Sequence, residues 1–139
     1  METVHTVADY TDGPRSGIAD YCGRPHYFRC EWDAAANDYV RTYRLAEIDA
    51  ETFAIALEQW QIWRRWELAF HSGQASADSH PGRGGRDARY DELERILQSR
   101  LGALPARVRV CAALHPAPDA PTLPVGVMRP LLVEWSPAA

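Results

Sequence analysis

Asp49–Gly73, DAETFAIALEQWQIWRRWELAFHSG, decides the architecture of this chain. On a helix turning about 100° per residue, Ala56, Trp60, Trp63, Ile55, Trp66, Phe70, Ile62 and Ala69 fill about half the circumference, and Phe53, Leu57 and Leu68 widen the arc. Only a strip holding Glu58, Gln61 and Arg65 reads as solvated. At about 1.5 Å per residue the helix is roughly 35 Å long, close to the diameter of a compact domain of this size. The expectation is a spine wrapped by the rest of one domain. Asp49 is a good N-cap, Ile48 and Phe53 occupy the hydrophobic-staple positions, and Gly73 is a natural stop.

Working outward, the upstream pattern is strand. SGIADYC (16–22) and HYFRCEWD (26–33) flank the turn cluster Gly23-Arg24-Pro25 as a hairpin, DAAAND (33–38) makes a second turn, and DYVRTYRLA (38–46) a third strand. Residues 1–15 are polar and read as a flexible N-terminal arm, which leaves 16–139 as a single folded domain. Downstream, SGQASADSHPGRGGR (72–86) is rich in glycine and serine and reads as a mobile loop. Asp87 then caps a second helix with Tyr90, Leu93, Ile96, Leu97 and Leu101 on one face, and Gly102 ends it. ARVRVCAAL (106–114) alternates as a strand, HPAPDAPTLP (115–124) connects, and PLLVEW (130–135) is the last strand. The order βββααββ implies an α+β domain. Its mainly antiparallel five-stranded sheet, flat or curled towards a barrel, packs on the long Trp-rich helix, with a shorter helix beside it.

A chain of 139 residues buries roughly two-thirds of its unfolded surface without cross-links. Hydrophobic content of 46% and charged content of 24% place it among soluble globular proteins. METVHTVADY lacks the basic and apolar regions of a secretory leader, and three cysteines fit a reducing compartment, so a cytoplasmic location is expected. All fifteen basic residues are arginine. Without lysine there is no Schiff base, no pyridoxal-phosphate anchor and no P-loop lysine, and no cofactor motif stands out. A net charge of −4 argues against a nucleic-acid partner held by overall charge.

Symmetric pairing about DAAAND sets Trp32 opposite Tyr39, Cys30 opposite Arg41, Phe28 opposite Tyr43 and His26 opposite Leu45. The bulk of Phe28, Trp32, Tyr39 and Tyr43 makes this the core face, packed on the tryptophan helix. The other face then carries Tyr27, Arg29 and Arg44 with Glu31, joined by Arg107 and Arg109 because Val108 and Val110 point inward. Four arginines and a tyrosine on one face suit an acidic protein partner or small anionic ligand, since guanidinium binds carboxylate and phosphate bidentately and stacks on aromatic rings. The plainer alternative is a solvated face neutralised by Glu31 and Glu134.

Glu67 sits in an apolar sector of the long helix, so its carboxylate needs a partner, a proton or a cation. Inward-pointing Arg41 and His71, one turn on, are the candidates. In a catalytic reading Glu67 is a general acid or base, His71 its proton partner and Arg41 an anion anchor; in a structural reading an Arg41–Glu67 pair docks helix on sheet. Cys22, His26 and Cys30 match no established zinc spacing and lack a fourth ligand nearby, so no metal is assigned. The fan of Trp60, Trp63 and Trp66 fits core packing better than a ligand cage. Two functions follow. The favoured one is a small binding or accessory protein using the Arg/Tyr face. The other is a small enzyme or ligand-binding protein with a pocket between sheet and helix. An edge strand of an open sheet would offer a route to a homodimer.

Overall fold

The computed structural model of the chain describes residues 1–9, 14–105, 107–118 and 122–138. Its strands are β1 (Glu2–Asp9), β2 (Ser16–Tyr21), β3 (Arg24–Asp33), β4 (Asp38–Glu47), β5 (Val108–Pro116) and β6 (Leu131–Pro137). Each runs antiparallel to its neighbours, and the six close into a barrel in chain order. The helices α1 (Ala50–His71) and α2 (Ala88–Gly102) lie between β4 and β5 in sequence, although those two strands pair directly, Leu45 opposite Val108. The α+β class and the antiparallel sheet are as expected; the sixth strand is β1. No described helix is long and apolar enough to cross a membrane.

Part of the segment read as a flexible arm is therefore barrel wall. Glu2–Asp9 pairs with β2 and, through Glu2 opposite Val133 and Thr3 opposite Leu132, with β6. Its polar composition misleads because its polar groups are used in cross-strand bonds. Thr6 is buried and its Oγ1 accepts the Ile18 amide at 3.0 Å, His5 meets Asp20 at 2.9 Å, and the Glu2 carboxylate accepts the turn amides of Cys22 and Gly23 at 3.0 and 2.7 Å. β1 and β2 approach so closely that a Cβ on Gly17 would lie 2.0 Å from the Thr6 carbonyl oxygen, so only glycine fits there. Tyr10–Gly13, also within the expected arm, lie outside the described residues. Closure removes the open edge on which strand-to-strand dimerisation would rest.

The core has two compartments. Inside the barrel, Ala19, Phe28, Cys30, Tyr43, Leu45, Val110 and Val133 are buried together, and Phe28 meets Tyr43 and Trp135 edge-on at 5.9 and 6.2 Å. Outside it, Ile18, Ile48, Ala56 and Leu97 join the helices to the opposite face of the sheet, with Tyr27 and Phe53 packed against them. This corrects the expectation that the Phe28 face packs on the tryptophan helix. A closed sheet encloses its own aromatic face and offers the helices only the outer one. Nor is α1 a wrapped spine. It buries Thr52, Ala56, Ile62 and Glu67, while Trp60, Trp63 and Trp66 are half-buried and Leu68 is 38% exposed.

Both helices begin and end where their caps dictate. The Asp49 carboxylate accepts the Thr52 amide at 2.7 Å and that of Asp87 accepts the Tyr90 amide at 2.9 Å. At the far end of α1, Gly73 has φ of 75°, its amide bonds Phe70 O at 3.1 Å, and the Gln74 amide bonds Ala69 O at 2.7 Å, the paired bonds of a Schellman stop. The 72–86 segment, read as a mobile loop, contains two 3-10 turns, Ala77–Ser79 and Pro81–Arg83. Trp66 holds it to α1, its indole N–H donating to Ser79 Oγ at 2.9 Å and its ring 4.4 Å from that of His80.

Candidate functional site

The β3–β4 register generates the candidate face. Trp32 lies opposite Tyr39 as expected, but a bulge between Cys30 and Trp32 moves the remaining pairs by two residues. Cys30 then faces Tyr43 rather than Arg41, Phe28 faces Leu45, and His26 faces Glu47. A shift of two preserves which side each residue occupies, so Phe28, Cys30 and Tyr43 still point into the barrel. Trp32 and Tyr39, expected in the core, lie past the bulge and are 53% and 37% exposed.

On the outer side Arg29, Arg44 and Arg109 stand directly opposite one another across β3, β4 and β5. Glu31 bridges two of them, its carboxylate meeting Arg44 Nε at 2.8 Å and Arg109 Nε at 2.9 Å. The hydrogen bond from Arg109, backed by Arg44, holds the Glu31 carboxyl below the usual carboxylate range. Arg29 forms no ion pair among the described residues, and Arg107 stands exposed just before β5. Neutralisation by Glu31 is thus partial: its carboxylate pairs with two of the three aligned guanidiniums. Tyr27 is half-buried beneath the helices; burial pushes its phenol above the ordinary value, and Arg29 beside it pulls it back.

Three contributors were not anticipated. Arg15, just before β2, lies over the Tyr39 ring at 4.1 Å, and Tyr39 meets Trp32 edge-on at 5.0 Å. A groove of about 580 Å³ runs between this aromatic group and the arginines, lined by Arg15, Tyr27, Arg29, Trp32, Tyr39 and Arg44. The available signal was the turn: DAAAND places Trp32 and Tyr39 at a hairpin end, where a barrel has no interior left to fill.

Glu67, His71 and Arg41 do not come together as an acid–base group. Glu67 is 4% exposed and ion-paired to Arg64, its neighbour on the same helix, and it accepts the Met128 amide at 3.0 Å. Arg64 completes the clamp by donating to Met128 O at 2.8 Å. Arg41 is exposed on β4, because the bulge gives Tyr43 the position opposite Cys30 that was expected for Arg41. His71 is exposed and packs on Gly126, where a Cβ would lie 2.6 Å from its ring. Glu67 is ion-paired, but the expected Arg41–Glu67 pair docking helix on sheet does not form: its partner is Arg64 and it holds the 124–128 turn. Cys22 is exposed in its turn, Cys30 is inside the barrel, and buried His26 donates from Nδ1 to Arg24 O at 2.8 Å. Among the described residues no three metal-ligating side chains converge.

No family model, no curated protein and no solved structure matches the chain.

Proposed function

We propose that this chain is a small binding or accessory protein that grips an acidic segment of a partner protein through the outer face of β3–β5. The observation carrying the reading is the row Arg29–Arg44–Arg109, served by one carboxylate and flanked by exposed Trp32 and Tyr39. Arginine, tryptophan and tyrosine are the residues that most often dominate binding energy at protein interfaces. Guanidiniums already aligned by a sheet lose little freedom on meeting a row of carboxylates. An extended acidic peptide would lie along the groove, its carboxylates on Arg29 and Arg44 and an apolar side chain against Trp32.

The test uses a fluorescein-labelled hexaglutamate peptide carrying one central leucine, followed by anisotropy. Binding should weaken steeply as salt rises from about 50 to about 500 mM, because exposed charge pairs are screened within a few ångströms at high salt. Arg29→Glu with Arg44→Glu should abolish it while far-UV circular dichroism is unchanged. Binding that survives the double reversal, or that ignores salt, would sink the proposal. Tighter binding of a single-stranded oligonucleotide than of the peptide would assign the face to nucleic acid instead.

A further inference from the structure

A cavity larger than the arginine groove meets it at Tyr27 and has the opposite charge. It holds about 900 Å³ between the outer face of β1–β3, the two helices and the 80–84 turn. This is the upper range for small-molecule sites. Five aromatic side chains line it: Tyr27 from the barrel, Tyr90 from α2, His80 from the turn, and Trp60 and Trp63 from α1, the last two stacked at 5.0 Å. Asp91 and Glu94 supply carboxylates from α2. Glu67, His71 and Arg41 are not part of its lining.

The two carboxylates are hydrogen-bonded without being neutralised. Glu94 accepts from the side-chain amides of Gln59 and of Gln98, the latter at 3.1 Å, and Asp91 accepts the Gly85 amide at 2.8 Å. Neither forms an ion pair among the described residues. Arg64 is committed to Glu67, Arg89 to Glu58 and Glu92, and Arg83 and Arg86 to Asp78. Burial raises both phenols; the Glu94 charge adds to the rise at Tyr90 and, at Tyr27, offsets part of the lowering by Arg29. Aromatic faces attract cations, and a partly desolvated carboxylate without a counter-ion favours a ligand that brings one.

We infer that this cavity is a binding site for a small organic cation with an apolar or aromatic body, its charge directed at Glu94 and Asp91 and its body held by Trp60 and Trp63. An anion would meet like charge, and a neutral ligand would leave the carboxylates uncompensated. The site shares Tyr27 with the arginine groove but none of its arginines, and stands whatever that face binds.

The probe is benzyltrimethylammonium chloride, with benzyl alcohol and sodium benzoate as neutral and anionic controls carrying the same ring, all at matched ionic strength. The indole N–H signals of the five tryptophans report where binding occurs. The cation should shift the Trp60 and Trp63 signals and bind at least about tenfold more tightly than benzyl alcohol, with no benzoate binding. Glu94→Gln should weaken it about five- to tenfold without changing the melting temperature. Trp63→Leu serves as a second variant should Glu94→Gln fail to fold, and should cost a similar factor. Equal binding of cation and alcohol, shifts confined to exposed Trp32, indifference of the cation to either variant, or no binding at all would each overturn the inference.

Discussion

Truncating Phe28 separates the two places where this protein could keep its main core. Phe28 is 2% exposed inside the barrel, with aromatic edges against Tyr43 and Trp135. Phe28→Ala removes the ring, opens a void in an enclosed space and breaks both aromatic contacts. Fully buried Phe→Ala changes cost about 3–5 kcal/mol, and a closed barrel relaxes little, so about 4 kcal/mol is expected. Over 139 residues, at about 2.1 cal/mol/K each, the unfolding entropy is roughly 0.29 kcal/mol/K, so the midpoint should fall by roughly 14 °C. Trp63→Ala removes a larger side chain, but one half-buried and stacked chiefly on Trp60. It should cost about 2 kcal/mol, or roughly 7 °C. Urea and thermal unfolding followed by circular dichroism measure both, and Phe28→Leu, with an expected loss of about 1 kcal/mol, covers the case in which the alanine variant does not fold. A Trp63→Ala loss equal to or greater than that of Phe28→Ala would refute the two-compartment core.

The remaining predictions concern ionisable groups. Glu67→Gln keeps the shape of the clamp on Met128 but removes its charge, and should cost about 2–3 kcal/mol in urea unfolding; a neutral result would show that the Arg64 pair does not hold the 124–128 turn. Because Glu31 is held below the ordinary carboxylate value, its contribution is complete above about pH 5 and is lost as pH falls through the unfolded value and then the lower folded one. The stability difference between the native chain and Glu31→Gln should therefore shrink on acidification, and a difference that widens would contradict the bridge. Burial inside the barrel, reinforced by Cys30, pushes the Tyr43 hydroxyl up to about 12, and that hydroxyl donates to Pro14 O at 2.8 Å. The unfolded chain would ionise this tyrosine first, near pH 10, so stability should fall between about pH 10 and about pH 12. Absorbance titration at alkaline pH should lose its last-ionising tyrosine in Tyr43→Phe, and no difference between the two titrations would contradict the assignment.

Local chemistry was the most legible part of the sequence. Asp49, Gly73 and Asp87 bound their helices because a cap is set by a few adjacent residues. The β2–β3 hairpin was readable from its turn cluster, and in the structure Cys22 and Gly23 both take positive φ between Tyr21 and Arg24. What failed was non-local. Strand β1 carries little apolar alternation, because Thr6 and His5 are satisfied by residues of β2 that no window along the chain reveals. Barrel closure inverted the assignment of which face meets α1, and the β3–β4 bulge turned Arg41 away from Glu67. The arginine row survived both errors because period-two alternation survives a slip of two. Trp32, Tyr39 and Arg15 were missed as site residues because large aromatics in strands read as core.

The pairing of β4 with β5 makes the helices an insertion. The strands are neighbours, yet the chain travels about sixty residues, Ile48 to Arg107, before returning to where a tight turn could have brought it. A loop fifteen times longer than a four-residue hairpin costs only about 2.4 kcal/mol more to close, so such an excursion is cheap to keep. Nor is it needed to shut the barrel. The molecule is in this sense modular: a small barrel that holds its own aromatic centre, and a helical appendage that covers Ile18 and Tyr27 and walls the large cavity. Variation in the appendage can alter what that cavity admits while the arginine row, carried entirely by the barrel, stays unchanged.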